Sequence, residues 1–189
     1  MRKLKLQVQV SVDGFMAGPN GEMDWMTWNW DDALKNHVDA LTEPVDTILL
    51  GRKMADGFIS HWTSILTKPE DESYPFARKM VDSAKVVFTK TLSTSAWANT
   101  NLATGDITEE VNQLKNESGG DMIVYGGAGF VSSLIKADLI NEYNLFVNPA
   151  AIGNGLSLFN KLDRKHDLQL VRSIPFECGI VLMQYHRKG

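Results

Sequence analysis

The chain has 189 residues, of which 43% are hydrophobic and 22% charged, and its formal net charge is -4 at pH 7. These values are typical of one globular domain, residues 1–189, that buries its own core. The acidic balance argues against nucleic acid as the partner, and no apolar run approaches the roughly 20 residues of a membrane span. The single cysteine, Cys178, cannot form an intramolecular disulfide, so a cytoplasmic protein is expected. The absence of HExxH and of paired cysteines excludes the common metal motifs, and we expect no metal site.

The first third of the sequence predicts a strand, a loop and a helix. Residues 4–12 alternate, which places apolar side chains on one face of a strand. These side chains are Leu4, Leu6, Val8, Val10 and Val12. A loop rich in glycine and proline follows. From Asn29 to Leu41 the apolar period becomes helical, and the stripe is formed by Trp30, Leu34, Val38 and Leu41.

The remainder alternates between short apolar runs and amphipathic segments. "DTILLG", "KVVFT", "DMIVYG" and "INEYNLFVNP" are typical of strands. Helices are predicted to begin at Arg52, at about Tyr74 and with "GAGFVSSLIKA". Asp106 and Glu109 have capping-box spacing for another helix, which Gly119-Gly120 would end.

The C-terminal segment predicts an antiparallel hairpin, made of "HDLQLVRSI" and "GIVLMQYHR". Cys178 falls in this strand-like region and is expected to be a buried, inert thiol. Strands that alternate with helices indicate an α/β three-layer sandwich. Its central sheet would be mixed and mainly parallel, with the hairpin as an antiparallel edge.

Three strand ends carry residues suited to binding an anion. They are Gly51 with Arg52 and Lys53; Thr89 with Lys90; and the cluster Gly126, Gly127 and Gly129. The glycines have two interpretations, either a sharp strand-to-helix turn or a backbone cradle for a phosphate at a helix N-terminus. Taken together, glycines for a pyrophosphate and separate cations for a further phosphate favour a dinucleotide with a 2′-phosphate, hence NADP over NAD.

The sequence resembles the dihydrofolate reductase-like superfamily and, within it, the riboflavin-biosynthesis reductase-domain family, over nearly the whole chain. The resemblance rests on "SVDGFMAGPNGEMDW", "TILLGRKM", "VYGGAGFVSSLI" and "LFVNPAAIGNGLSLF". It implies a dihydrofolate reductase-like fold and NADPH as the cofactor. Members of this family commonly pair, so a homodimer is also expected.

The resemblance also implies roles for individual residues. The cofactor would contact Gly51, Arg52, Lys53, Met54, Thr89, Lys90, Gly126, Gly127, Ala128, Gly129 and Phe130. The family often has threonine at the position of Met54. The Asp13-Gly14 loop would cover nicotinamide and substrate, whereas the Asp13 side chain is more typical of a loop-forming residue that bonds its own backbone. Trp25 could wall a flat substrate pocket, and Pro149 begins a Pro-x-x-x-Gly-x-Gly segment beside the site.

A carboxylate on the first helix would manage the proton, as the resemblance to dihydrofolate reductases implies. Asp31 falls beside the apolar stripe of that helix, whereas Asp32 points away and follows Asn29 at a spacing that helix capping explains. Asp31 is therefore the candidate catalytic residue and a candidate substrate contact, with an ordinary first-turn role as its alternative. Asp24 and Asp56 are rivals.

The leading hypothesis is an NADPH-dependent reductase acting on a C=N or C=O bond of a small pteridine-, pyrimidine- or ribityl-type substrate. The zinc deaminase signature HxE…PCxxC is absent from this chain. Two alternatives stay open: a non-catalytic nucleotide-binding or dimeric structural protein that retains the fold, and a nucleotide-phosphate binder without redox chemistry.

Overall fold

A computed structural model describes residues 1–188. In chain order its strands are β1 (Leu4–Val10), β2 (Phe15–Ala17), β3 (Val45–Gly51), β4 (Ala84–Phe88), β5 (Thr100–Ala103), β6 (Asp121–Val124), β7 (Glu142–Val147), β8 (Leu156–Ser157), β9 (Leu168–Pro175) and β10 (Val181–Arg187). The α-helices are α1 (Asp32–Thr42), α2 (Arg52–Ile65), α3 (Tyr74–Asp82), α4 (Ile107–Asn116) and α5 (Ala128–Lys136). Within the described range no helix is both long and apolar enough to cross a membrane.

Eight strands form one sheet in the order β5-β4-β3-β6-β1-β7-β10-β9. The first six strands in this order are parallel to one another, and β10 is antiparallel to both β7 and β9. The sheet is therefore mixed and mainly parallel, with a C-terminal antiparallel hairpin, as predicted. Two short strands, β2 and β8, pair separately and antiparallel to each other.

Helices cover both faces of the sheet. On one face, Val111 of α4 and Leu134 of α5 pack against the apolar side of β1, whose Leu4 and Leu6 are fully buried. On the other face, α1 packs on β7 and β10, and α2 and α3 pack on β3 and β4. Helices thus bury the hydrophobic residues on both faces of the sheet, which confirms the predicted three-layer sandwich.

Several local predictions were wrong. β1 ends at Val10, because Ser11 turns the chain through a bond from its amide to Phe15 O, and Val12 is 65% exposed. The first helix begins at Asp32, not at Asn29. Cys178 lies in the half-buried turn between β9 and β10 instead of within a strand.

The predicted cap of the fourth helix is half correct. Asp106 Oδ1 accepts hydrogen bonds from Thr108 N and Glu109 N, at 2.8 and 3.3 Å. The reciprocal contact is made one residue later than predicted, because Glu110 Oε1 accepts from Gly105 N at 2.9 Å. The helix therefore starts where the spacing indicates, with a different glutamate closing the cap.

Candidate functional site

The three strand ends with anion-binding chemistry lie side by side. β4, β3 and β6 are adjacent and parallel, so their carboxyl ends reach the same edge of the sheet. Gly51, the last residue of β3, is in register with Phe88 at the end of β4, and Leu49 with Val124 at the end of β6. Segments 51–54, 89–90 and 126–130 therefore meet along this edge, which is where α/β sheets bind ligands.

The glycine cluster forms an uncapped start of α5. Gly127 is the N-cap residue with φ of 82°, a left-handed conformation that glycine adopts without a steric penalty. No side chain caps the helix, and Phe130 N and Val131 N both donate to Gly127 O. A Cβ on Gly129 would meet nothing within 4 Å, so the surface at the first turn is open. An open, uncapped helix start with its positive dipole end suits an anion.

The start of α2 has the same character. Its N-cap, Gly51, makes no side-chain hydrogen bond, and the first turn contains no acidic residue. Gly51 lies so close to α5 that a Cβ there would stand 2.9 Å from Cβ of Phe130. By contrast, α1 and α4 are capped by aspartates, Asp31 and Asp106. Two helix N-termini without negative side chains therefore adjoin at the ends of β3 and β6.

The basic residues at this edge differ in how far they are already engaged. Arg52 Nη1 is 2.9 Å from Asp56 Oδ2, and its guanidinium carbon is 5.6 Å from the ring centre of Trp97. Lys53 is exposed. Lys90 Nζ donates to two backbone carbonyls, Thr104 O and Gly105 O, at 2.7 and 2.6 Å. Arg52 is thus half-buried and held by contacts at the start of α2, Lys53 is exposed beside it, and Lys90, although exposed, ties the end of β4 to the start of α4.

Thr89 shapes the turn that follows β4. The residue is buried, and its Oγ1 accepts from Thr91 N and Leu92 N at 3.1 Å each. These bonds are those of a hydroxyl that stabilises a local turn.

Met54 packs against the glycine turn. Its Sδ is 3.5 Å from where a Cβ on Gly126 would be, and its Cβ is 3.9 Å from the corresponding point on Gly127. Both distances are ordinary van der Waals contacts. Met54 therefore supplies an apolar support beneath the turn, in place of the hydroxyl group that a threonine would place there.

The other half of the edge is formed by the loops after β1 and β7, which are adjacent parallel strands. Asp13 in the first loop accepts from the backbone of the second, with Oδ2 at 3.1 Å from Ile152 N and 2.7 Å from Gly153 N. Its Oδ1 also accepts from Ser11 Oγ at 2.6 Å. These hydrogen bonds, the one from Ser11 being the largest cause, hold the pKa of Asp13 below its usual value. The predicted loop-forming role of Asp13 is thus present, and its bonds to the loop after β7 come in addition to it.

Gly14 and Pro149 support this pair of loops. Gly14 has φ of 87° and its amide donates to Ser11 O, which closes the turn after β1. Pro149 lies against Gly179 in the turn between β9 and β10, where a Cβ on the glycine would stand 3.2 Å from Pro149 Cγ. Pro149 therefore packs the β7 loop against the hairpin.

Asp31 caps α1 and also joins it to the hairpin. Oδ1 accepts from Leu34 N at 2.9 Å, and Oδ2 accepts from Cys178 N at 3.0 Å. Because these amides stabilise the carboxylate, the bond from Cys178 most of all, the pKa of Asp31 lies below its usual value. The start of the helix is thus set by Asp31, and Asn29 does not cap it. The catalytic role of Asp31 stays a prediction.

The tryptophans before α1 have different environments. Trp30 packs on the cluster that contains the α1 stripe, and its indole Nε1 donates to Thr27 O at 2.8 Å. Trp25 is half-buried and donates to Glu22 O at 3.3 Å, whereas Trp28 is 62% exposed. Core packing by one member of the group is confirmed. The pocket role of Trp25 stays a prediction.

Sequence reasoning missed Asn148, which follows β7 and is fully buried. Its Oδ1 accepts from Thr27 N at 2.8 Å, and its Nδ2 donates to Gln9 Oε1 at 2.6 Å. Asn148 therefore fixes the tryptophan loop to the carboxyl ends of β1 and β7. A polar residue directly after an apolar strand was the available signal.

Sequence reasoning also missed Lys161, whose Nζ donates to Gly129 O and Ser133 Oγ at 2.8 Å each. The same segment contacts α5 through Leu158, whose carbonyl accepts from Ser132 Oγ at 2.9 Å. These bonds join the chain after β8 to the first turns of α5. Nothing in the local pattern around Lys161 indicates this contact.

Two surface depressions are found at the opposite edge, where the strands begin. One is lined by residues such as Arg2 and Asp121, the other by residues such as Ala84 and Thr100. Among residues 1–188, no group of three His, Cys, Asp or Glu side chains could hold a metal ion. The candidate site is identified from its helix N-termini and strand-end chemistry.

The fold is that of dihydrofolate reductase. The dihydrofolate reductase of Enterococcus faecalis, solved in complex with NADP(H) and RAB-propyl, superposes with a TM-score of 0.60 and 16% identity over 99% of this chain and 97% of that chain. A diaminohydroxyphosphoribosylaminopyrimidine deaminase/5-amino-6-(5-phosphoribosylamino)uracil reductase of Thermotoga maritima gives a TM-score of 0.70 at 16% identity, over 99% of this chain and 57% of that one.

Residues 2–182 match the RibD C-terminal domain, and the chain belongs to this family. The protein YyaP of Bacillus subtilis (strain 168), which is named as uncharacterized, is 34% identical over 194 residues, covering all of this chain and 96% of its own. The suspected membership in the riboflavin-biosynthesis reductase-domain family is thereby confirmed, and the protein has a reductase fold.

Proposed function

We propose that the protein is an NADPH-dependent reductase that transfers a hydride to a C=N or C=O bond of a small heterocyclic substrate of pteridine, pyrimidine or ribityl type. The observation that carries this proposal is the pair of uncapped helix N-termini at the adjoining ends of β3 and β6, with Arg52 and Lys53 in the first turn of one of them. The names of two structural relatives, a uracil-type reductase and a dihydrofolate reductase with NADP(H), are consistent with this chemistry.

The chain's residues fit such a cofactor. The amides at the first turn of α5 would bind the pyrophosphate, where Gly129 leaves the backbone open. Arg52 and Lys53 would hold the 2′-phosphate of the adenosine, because Arg forms charge-assisted bonds with phosphate. NADPH supplies a hydride from its nicotinamide ring when bound. The loops after β1 and β7 would exclude water at that end of the site.

Asp31 is the proposed carboxylate for the proton step. Since its pKa is lowered, Asp31 is ionised at neutral pH, so it is not the proton reservoir itself. A fixed negative charge favours the protonated form of a neighbouring C=N group. The proton itself would come from solvent, to which Asp31 is partly exposed. Protonation of the nitrogen makes the carbon more electrophilic, so Asp31 would prepare the substrate for hydride transfer.

The alternative, a nucleotide-binding protein without catalysis, has two observations in its favour. Met54 supports the glycine turn with an apolar contact, and both oxygens of Asp31 already accept backbone hydrogen bonds. Oxidation of NADPH in the presence of dihydropteridine or aminopyrimidine substrates separates the two functions. Binding without oxidation over such a panel would favour the alternative.

The proposal is tested by calorimetric titration of the protein with NADPH and with NADH. Arg52→Ala should weaken NADPH binding about 10- to 150-fold, because one charge-assisted bond contributes about 1.5–3 kcal/mol. It should leave the weaker binding of NADH unchanged. Arg78→Ala is the matched control, since Arg78 also forms an exposed i,i+4 pair with an aspartate, on α3. Equal binding of NADPH by the wild type and Arg52→Ala would contradict the assignment.

A further inference from the structure

The loops after β1 and β7 are joined by one carboxylate. Asp13 accepts hydrogen bonds from the amides of Ile152 and Gly153, which lie 139 and 140 residues further along the chain. It also accepts one from Ser11 Oγ in its own loop. Asp13 is exposed, and both of its carboxylate oxygens accept hydrogen bonds from the two loops. These three donors already occupy most of the roughly four acceptor positions of the carboxylate.

Further backbone contacts join the two loops on either side of Asp13. Val12 N donates to Ala150 O at 2.8 Å, and β2 pairs with β8 directly beyond the two loops. The backbones are so close there that a Cβ on Gly155 would stand 2.2 Å from Ala17 O. The two loops therefore form one unit, and Asp13 is the only charged side chain among these contacts.

This unit reaches the glycine turn of α5. The chain after β8 bonds to α5 through Leu158 O and through Lys161 Nζ, the latter on Gly129 O at 2.8 Å. Neither bond involves Asp13, so the turn proposed to hold the pyrophosphate keeps these contacts when the Asp13 contacts are removed.

The location of the unit indicates which part of a dinucleotide it would affect. The cations Arg52 and Lys53 lie at the end of β3, the glycine turn at the end of β6, and the Asp13 loop at the end of β1. These strands are neighbours in that order, so a dinucleotide with its 2′-phosphate at Arg52 would extend its nicotinamide end towards β1 and β7.

We propose that Asp13 is a positioning residue, a clasp that holds the loop after β7 against the loop after β1 and so shapes the nicotinamide end of the site, instead of a direct substrate ligand. This inference rests on the proposed function for its ligand. The clasp itself is a property of the protein without nucleotide, and the experiment measures the two separately.

The first measurement is amide hydrogen exchange of residues 150–155 in nucleotide-free protein. Asp13→Ala should accelerate exchange at Ile152 and Gly153 at least tenfold, and Asp13→Asn less, because its amide keeps one acceptor oxygen. Asp167→Ala is the matched control, since Asp167 is an exposed aspartate with a lysine partner, at the start of β9. Unchanged exchange at both amides in Asp13→Ala would overturn the clasp.

The second measurement compares NADPH with adenosine 2′,5′-bisphosphate, which lacks the nicotinamide half. Asp13→Ala should weaken NADPH at least tenfold and leave the bisphosphate affinity unchanged, with the urea unfolding midpoint close to that of the wild type. Equal weakening of both ligands would overturn the positioning role, because a general structural defect affects both halves. If the wild type binds neither ligand, the proposed function and the nicotinamide role both fail, while the exchange data still decide whether the clasp exists.

Discussion

A substitution at Gly129 distinguishes the two interpretations of the glycine cluster, because a simple turn would tolerate alanine there, whereas a phosphate-binding turn would not. Gly129 lies in the first turn of α5, does not have a positive φ, and has open space around the position of a Cβ. Alanine can therefore adopt its conformation without strain. Gly129→Ala should stabilise the nucleotide-free protein by about 0.4–1 kcal/mol, since it restricts the unfolded chain. For a domain of this size the melting temperature should rise by about 1–4 °C.

The same methyl group would stand where a phosphate approaches the backbone. Loss of one charge-assisted hydrogen bond costs about 1.5–3 kcal/mol, so NADPH affinity should fall about 10- to 150-fold. Thermal unfolding and calorimetric titration of one protein preparation give both values. Gly127→Ala is the comparison for stability. Because the φ of Gly127 is 82°, a side chain there should lower the free energy of unfolding by about 1–2 kcal/mol. An unchanged NADPH affinity in Gly129→Ala would refute phosphate binding at this turn. A lower stability of Gly129→Ala would refute the argument that alanine fits the backbone there without strain.

Three further predictions concern single side chains. Burial holds the pKa of His37 below the unfolded value of about 6.5, so the unfolded chain binds more protons and stability should fall as pH drops below that value. Between pH 7.5 and pH 5.5 the free energy of urea unfolding should fall less in His37→Gln than in the wild type, and an identical fall would contradict this. Asp31→Asn keeps one oxygen for the cap to Leu34 N but loses the acceptor for Cys178 N, so the unfolding midpoint should fall. If the carboxylate takes part in the proton step, kcat should also fall while NADPH affinity is retained; a wild-type kcat would remove Asp31 from the reaction. Asp56→Asn frees Arg52 from an exposed pair of about 0.3–0.5 kcal/mol, so NADPH should bind about twofold tighter, whereas weaker binding would contradict the phosphate role of Arg52.

The sheet could be predicted because its strands carry strong local patterns. The alternation in β1 and the apolar runs of β3, β6 and β7 are visible without tertiary information. β5, with the sequence TNLA, lacks such a pattern and is a strand because its backbone pairs with β4. β2 and β8 have three and two residues and form only where their loops meet.

The site was predictable only where strand ends determine it. Gly51, Arg52 and Gly127 follow apolar runs, so parallel pairing alone brings them to one edge. The partners of Asp31 and Asp13 could not be inferred, because Cys178 and Gly153 lie 147 and 140 residues away. Such contacts depend on the assembled loops and leave no local signal.

The central claim, that a dinucleotide phosphate lies on the start of α5 beside the start of α2, is tested most directly by amide hydrogen exchange with and without NADPH. The account predicts protection of segments 51–54 and 126–131, with no change around Arg2 and Asp121 at the opposite edge of the sheet. Binding of NADPH without protection of residues 126–131 would contradict the account.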